Sequence, residues 1–372
     1  MRRTVVHFLD SPSFGGTEQA LLHLLAGLDR DRWRPVLFHH AEPALAPLLE
    51  GAHRLKVETK VVPRLGGVGT ATALPTLVGQ LRTERPAVFH AHLCWLLSCK
   101  YGLLAAAMAR VPGVVATAQQ YLDPPWSRGI AAQQRLFATC VDRYIAVSHA
   151  IAGQLCGPFR VPARKVQVVH NAVPRPSTDA SRGENGAGDL PDLGGRPKVL
   201  TVARLDAQKG HTVLLEAIRR IPEAAFVLAG DGPERATLEA NVRAFGIADR
   251  TVFLGHRTDI ATLLVRCDFL VLPSLYEGFP LAIQEAMVAG RAVIASAVGG
   301  VPEAVHNEVT GLLVPPGDPV ALADAIRRLL ADPALAQRMG AAGRVRAEQE
   351  FSYEAMVQRT TRIYDEVLER GR

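Results

Sequence analysis

Short apolar runs alternate with amphipathic helical patterns along this chain twice over, and a stretch with no hydrophobic period separates the two series. In the first series the expected strands are residues 4–9, 33–40, 87–92, 114–118, 144–147 and 166–169, with a helix over 17–28 after the first. Parallel strands need a crossover connection, and a helix supplies it. Strands alternating with helices therefore predict parallel sheets covered on both faces. In residues 174–197 Pro, Gly, Ser, Asp and Asn dominate, which reads as a linker or disordered loop. A fresh series then begins at 198–203, with strands near 225–229, 251–254, 269–272, 292–296 and 311–314. A length of 372 residues suits two such domains. The expected division is a first domain at 1–173, a linker at 174–197, a second domain at 198–350, and a final amphipathic helix within 351–372. Ligands of such sheets bind beyond the carboxyl ends of the strands, so the loops there are where chemistry is sought.

Four of those loops carry informative residues. Glu277-Gly-Phe-Pro-Leu-Ala-Ile-Gln-Glu285 places two carboxylates eight positions apart, one in a Gly-Pro loop after an apolar strand, the other about one turn into the next helix. Pro280 suits the first helical turn, where its missing N–H has no intrahelical partner, and Gly290 reads as the stop. A helix N-terminus there attracts an anion, while carboxylates accept hydrogen bonds from sugar hydroxyls. A phosphate beside sugar rings is a sugar nucleotide. Val202-Ala-Arg-Leu-Asp-Ala-Gln-Lys-Gly210 brings Arg204 and Lys209 to another strand end, on a loop expected to be exposed. Arg binds phosphate with a forked pair of donors and Lys acts as a point charge. Gly15-Gly16-Thr17-Glu18 follows the first strand, and Gly16 permits close approach of backbone to phosphate. His90-Ala-His92 ends a further strand. Its two imidazoles are expected to point to opposite faces, and so not to chelate a metal together.

These segments, with Ser274-Leu-Tyr-Glu-Gly-Phe-Pro-Leu281 and Ala295-Ser-Ala-Val-Gly-Gly-Val-Pro-Glu303, resemble the donor-site signature of the family 4 retaining glycosyltransferases, which have the GT-B fold. The resemblance runs along nearly the whole chain. It implies an α/β protein of two Rossmann-like domains facing across a cleft, with the last helix crossing back to the first domain. It implies a nucleoside-diphosphate sugar as co-substrate, with no other cofactor and no metal. By this resemblance Glu285 holds the ribose hydroxyls, and Arg204 and Lys209 the diphosphate. Glu277 takes hydroxyls of the donor sugar, with Gly278, Phe279, Pro280 and Leu281 forming the donor loop around it. The Gly16 loop reaches toward the donor phosphate, and His92 lies near donor sugar and acceptor. His170-Asn171-Ala-Val173 matches the family's Asn-containing hinge. The catalytic set implied is Glu277, His92, Arg204 and Lys209. UDP is favoured as the nucleotide only by its frequency in the family.

The acceptor is less defined. Gln119-Gln-Tyr-Leu-Asp-Pro-Pro-Trp126 reads as the acceptor loop, with Gln119, Tyr121 and Trp126 as contacts and Asn171 beside them. A glycolipid, a polysaccharide and a small natural product such as an aminocyclitol all stay open. Residues 1–170 carry 19 Lys/Arg against 10 Asp/Glu, a net +9, whereas the remainder is net −3. A basic first half can face an anionic membrane or an acidic acceptor. Nucleic acid is not expected, because the basic residues are dispersed and no stacking motif accompanies them. No apolar run reaches membrane-spanning length. The N-terminus reads as a buried strand rather than a signal peptide. The five cysteines form no C-x-x-C pair, so a reduced, cytoplasmic protein is expected, at most peripheral at the inner membrane face. Asp29-Arg30-Asp31 is a D-x-D string on the wrong side of a strand for metal binding, and reads as a solvated turn. Gly230-Asp-Gly-Pro233 reads as structural, and Gly67-Val-Gly69 as a loop. Three rivals are a GT-B sugar-nucleotide epimerase, a non-catalytic sugar-nucleotide binder, and a nicotinamide oxidoreductase. The last is disfavoured by the missing G-x-G-x-x-G.

Overall fold

A computed structural model describes residues 2–64, 70–121, 126–175, 190–191 and 193–370. The Gly67-Val-Gly69 loop, most of the linker and residues 122–125 of the acceptor loop lie outside that set. The chain forms two compact units, one from Met1–Ala172 with Tyr353–Arg372, the other from Val173–Ser352.

In unit 1 the chain runs β1 (Arg3–Leu9), α1 (Gly16–Gly27), β2 (Trp33–His39), α2 (Ala46–Arg54), β3 (Glu58–Val61), α3 (Thr70–Glu84), β4 (Val88–Leu93), α4 (Lys100–Met108), β5 (Gly113–Ala118), α5 (Arg128–Phe137), β6 (Arg143–Ala146), α6 (His149–Cys156) and β7 (Val166–Val168). The seven strands pair in parallel in the order β3-β2-β1-β4-β5-β6-β7. Both faces of the middle strands are covered, which is why β1, β4 and β5 read as nearly unbroken apolar runs. The edge strand β3, Glu-Thr-Lys-Val, is mostly exposed and among the described residues pairs only with β2. It is absent from the strands expected above because nothing in it needs burial.

Unit 2 contains β8 (Lys198–Val202), α7 (His211–Ile218), β9 (Ala225–Ala229), α8 (Arg235–Ala244), β10 (Thr251–Gly255), α9 (Ile260–Arg266), β11 (Phe269–Leu272), α10 (Leu281–Val288), β12 (Ala292–Ser296), α11 (Val301–Ala304), β13 (Gly311–Val314), α12 (Pro319–Ala331) and α13 (Pro333–Glu350). Its six strands pair in parallel in the order β10-β9-β8-β11-β12-β13. Pro280 is the N-cap of α10, with ψ 129°, rather than a residue of its first turn as expected. Its preset φ suits either position, so sequence alone does not separate them.

A last helix, α14 (Tyr353–Arg370), returns to unit 1 and packs on β5, β6 and α1. Ile363, Tyr364 and Val367 enter that unit's core, where the Tyr364 ring meets Trp33 edge-on at 5.2 Å. In both sheets the direction of strand succession reverses once, between β1 and β4 and between β8 and β11. Crevices beyond the carboxyl ends at such a reversal are where open α/β sheets bind ligands.

Candidate active site

In unit 2 the loops after β8 and β11 meet at the reversal point, and a glycine brings them together. Gly210 has φ +64°, and a Cβ there would lie 2.1 Å from the carbonyl oxygen of Pro273. Only glycine allows both that backbone and that approach. The contact is secured by the Leu275 N–H donating to Gln208 O at 2.8 Å and by Gln208 Nε2 donating to Tyr276 O at 3.0 Å. Its result is an ion pair that the separate motifs do not reveal. Lys209 Nζ donates to Glu277 Oε1 at 2.6 Å, and Ser274 Oγ donates to the same oxygen at 2.7 Å. Glu277 is 4% exposed, and the Lys209 side chain 18%. The expectation of an exposed loop is therefore corrected for Lys209, because the Gly210 contact folds it inward. Arg204 does project, at 43% exposure, and its Nε donates to Asp206 Oδ2 at 2.5 Å. The Arg204 carbonyl accepts from His211 Nε2 at 2.9 Å, if that nitrogen bears the proton.

Glu277 Oε2 is used by no hydrogen bond among the described residues and is not sealed from solvent. One oxygen is thus held by a cation and a hydroxyl, and the other is available to accept from a ligand hydroxyl. Gly278 and Phe279 follow, Phe279 packing its ring on Phe351 at 5.2 Å. Pro280 has no N–H to give, and Leu281 opens α10. Glu285, on the first turns of α10, is half-buried. Burial pushes its carboxyl up to about 7, and among the described residues no cation pairs with it. An uncompensated carboxyl at a sheet reversal is costly for folding and typical of a binding group. Gly230, by contrast, sits with φ +150° against the Ala203 carbonyl, which accounts for it structurally.

In unit 1 the reversal point holds three buried imidazoles. His7 of β1 is paired in register with His90 of β4, and Leu9 with His92. Residues two apart on a strand share a face, so the expectation that His90 and His92 point opposite ways is wrong. Their ring centroids lie 4.1 Å apart. His7, His90 and His92 bring ring nitrogens within 4.8 Å of one another, a spacing that could hold a metal ion. His90, however, already uses both nitrogens, one with Tyr364 OH at 2.6 Å and the other with Thr117 Oγ1 at 2.7 Å. His92, 2% exposed, lines a small pocket together with Thr117, Gln119 and Asn171. Asn171 Nδ2 donates to Gln119 Oε1 at 2.9 Å. The structure thus brings His92, Gln119 and Asn171 to one place.

The other expected residues lie apart from that pocket's lining. Trp126 meets the buried Phe159 at a tilt, with ring centroids 5.3 Å apart, and Tyr121 is half-buried. Trp95, 47% exposed and lining a neighbouring apolar pocket with Gln119 and Leu155, is an aromatic that the sequence reading passed over. Its place directly after β4 was the available signal. Gly16 is the first residue of α1, and a Cβ on it would meet nothing within 4 Å among the described residues. Neither backbone nor packing demands glycine there in the ligand-free protein. Asp29 accepts from the N–H of Asp31 at 2.9 Å, and Arg30 Nη2 donates to the Leu25 carbonyl, so the D-x-D string is a turn device.

Two parallel α/β units of this kind, each with its site loops at a sheet reversal, make up the GT-B architecture of glycosyltransferases. Residues 189–346 match the family described as Glycosyl transferases group 1, and residues 14–175 match Glycosyltransferase Family 4. The chain is 32% identical over 337 residues to alpha-maltose-1-phosphate synthase of Mycobacterium tuberculosis, covering 82% of this chain and 86% of that protein. It is 30% identical over 326 residues to 2-deoxystreptamine glucosyltransferase of Streptomyces kanamyceticus, covering 81% and 83%. The crystal structure of Anabaena HepE in complex with UDP and glucose superposes with a TM-score of 0.84 at 22% identity, over 98% of this chain and 100% of that one. Sucrose-phosphate synthase of Thermosynechococcus elongatus superposes at 0.77 and 24% identity, over 99% and 100%. The chain belongs to the family 4, group 1 glycosyltransferases, and glycosyltransferase is its activity class.

Proposed function

We propose that this protein is a retaining glycosyltransferase that moves a hexosyl or N-acetylhexosaminyl group from a UDP-sugar to a hydroxyl of a sugar, glycolipid or small-molecule acceptor. The observation that carries the reading is the Lys209–Glu277–Ser274 cluster at the β8/β11 reversal. It sets a cation and a hydroxyl acceptor side by side, the two needs of a sugar joined to a diphosphate. Arg204 and Lys209 stabilise the charge that grows on the leaving diphosphate, a contribution realised chiefly in the transition state. Glu277 Oε2 accepts from a donor-sugar hydroxyl, and Glu285 from the ribose.

In the transfer step the acceptor oxygen bonds to the anomeric carbon while the bond from that carbon to the phosphate oxygen breaks. The acceptor proton passes to the departing phosphate oxygen, and the nucleoside diphosphate leaves from the same face. Such a step needs no pair of flanking carboxylates of the kind hydrolases use. The reaction is read as metal-independent, because the diphosphate has its own cations and His90 has both nitrogens engaged. UDP and a glucosyl group are the favoured donor parts: UDP and glucose occupy the complex of the HepE neighbour, and the Streptomyces kanamyceticus relative is named as a glucosyltransferase. Peripheral contact of the basic unit 1 with anionic lipid belongs to the same reading if the acceptor is a glycolipid. Calorimetry with UDP, GDP and ADP, beside slow hydrolysis of their glucose conjugates, tests it. UDP binding and UDP-glucose turnover are expected, and failure of every nucleotide to bind would refute the donor assignment.

A further inference from the structure

The bond between His7 Nδ1 and His92 Nε2, 3.0 Å long, joins a fully buried imidazole to one that is buried except at the pocket. Burial drives both well toward the neutral form, His92 to about 3. Two neutral imidazoles share one proton in such a bond, so one donates and the other accepts. The surroundings decide which. Among the described residues His7 Nε2 is buried and has no hydrogen-bond partner. If His92 donated, the proton of His7 would have to sit on that nitrogen, as a buried N–H with nothing to accept it. If His7 donates, the same position carries only an unfilled lone pair. Orphaned N–H groups are the rarer and more expensive of the two defects. The ring of His92 is fixed from its other side by His90, which is itself held by Tyr364 and Thr117. No hydrogen bond among the described residues uses His92 Nδ1, and that atom is not sealed from the adjoining pocket.

We propose that His7 is a positioning residue that donates to His92 Nε2, locking His92 as the Nδ1–H tautomer, so that His92 offers a ligand oxygen a neutral N–H donor and cannot act as a base. The inference rests on the reading that the pocket beside Gln119 and Asn171 takes part in sugar transfer. It also deepens that reading. A histidine without a free lone pair cannot remove the acceptor's proton, which leaves the departing phosphate oxygen to take it.

The test is a long-range proton–nitrogen correlation spectrum of the ring nitrogens in the full chain labelled with 15N-histidine. Wild type, His7→Leu and His7→Asn are compared, with His92→Gln for assignment and UDP-glucose hydrolysis measured in parallel. In the wild type, His92 should show a protonated Nδ1 and a bare Nε2, unchanged from pH 6 to 8. His7→Leu removes the donor that pins the ring without supplying an acceptor, so His92 should lose its single fixed state, its ring nitrogens giving averaged shifts from more than one tautomer or ring orientation, and kcat should fall about threefold or more, with KM nearly unchanged. His7→Asn, whose amide can still donate, should keep the tautomer and most of the rate. A proton on Nε2 of wild-type His92 overturns the proposal, and that spectrum decides even if His7→Leu does not fold. The expected tautomers together with unaltered turnover in His7→Leu would overturn the part of the pocket in the reaction, while UDP binding by unit 2 would stand.

Discussion

Replacing Glu285 by Gln should stabilise the ligand-free protein, by an amount that grows as pH rises from about 4.5 to about 7 and is constant above. Burial raises the folded-state carboxyl from an ordinary 4.5 to about 7. Between those values the unfolded chain has released its proton while the folded protein keeps it, so stability falls as pH rises. Above about 7 the folded protein must hold a half-buried carboxylate with no cation beside it, and the penalty is complete. At about 1.4 kcal/mol per pH step, the window from 4.5 to about 7 sets a ceiling of about 3.5 kcal/mol. Partial exposure of the side chain reduces that to about 1–2 kcal/mol. Gln keeps the shape and removes the charge. Urea unfolding of both proteins at pH 5.5, 7 and 8.5 measures the difference, which should be about two fifths of its final value at pH 5.5 and level off above 7. The opposing contribution of neutral His7, His90 and His92, whose lowered pKa values favour the folded state as pH rises to about 6.5, cancels in the comparison. UDP affinity should move the other way. Ribose hydroxyls donate to the charged form, so wild-type binding strengthens as pH rises to about 7, whereas Glu285→Gln binds weakly at every pH. If Glu285→Gln is no more stable than wild type at pH 8.5, or its advantage does not change with pH, the carboxyl is not under the strain described.

Lys209→Ala should cut turnover about a hundredfold and also lower stability by about 1–3 kcal/mol, since it strands the buried Glu277 carboxylate; Arg204→Ala, whose side chain projects, should cut turnover without shifting the melting temperature, and kinetics beside thermal melts separate the two. Gly210→Ala should destabilise by about 2 kcal/mol or more, because the new Cβ meets the Pro273 carbonyl, whereas Gly16→Ala should melt like wild type and weaken only donor binding by calorimetry. EDTA should leave UDP-glucose turnover largely intact; loss restored by manganese or magnesium would contradict a diphosphate site made of Arg204 and Lys209.

Much of this architecture is legible in the sequence, for a plain reason. Strands buried on both faces must be apolar throughout, so β1, β4, β5, β9, β11 and β12 stand out from the polar segments around them. β3 does not, because an exposed edge strand follows no burial pattern. The candidate site was legible as residue types at strand ends, but not as partnerships. Nothing in the spacing of Lys209 and Glu277, 68 positions apart, says that they touch. The pairing follows from a sheet order that places β8 beside β11 and from a glycine whose necessity is tertiary. The histidine cluster shows the opposite failure. Period two, applied correctly, puts His90 and His92 on one face, but His7 joins them only through the register of β1 with β4.

The placement of α14 has a consequence for how the protein is made. Ile363, Tyr364 and Val367 complete the core of unit 1 and sit against residues synthesised at the start, among them Trp33. Every residue of Val173–Ser352 must be synthesised before those side chains exist. Unit 2 is continuous in sequence and can finish folding during synthesis. Until then unit 1 is a sheet lacking one of its covering helices, with apolar surface on β5 and β6 open to water and to other chains. Order of completion is thus inverted relative to order of synthesis, and the interval before α14 docks is when the nascent chain is most exposed to aggregation.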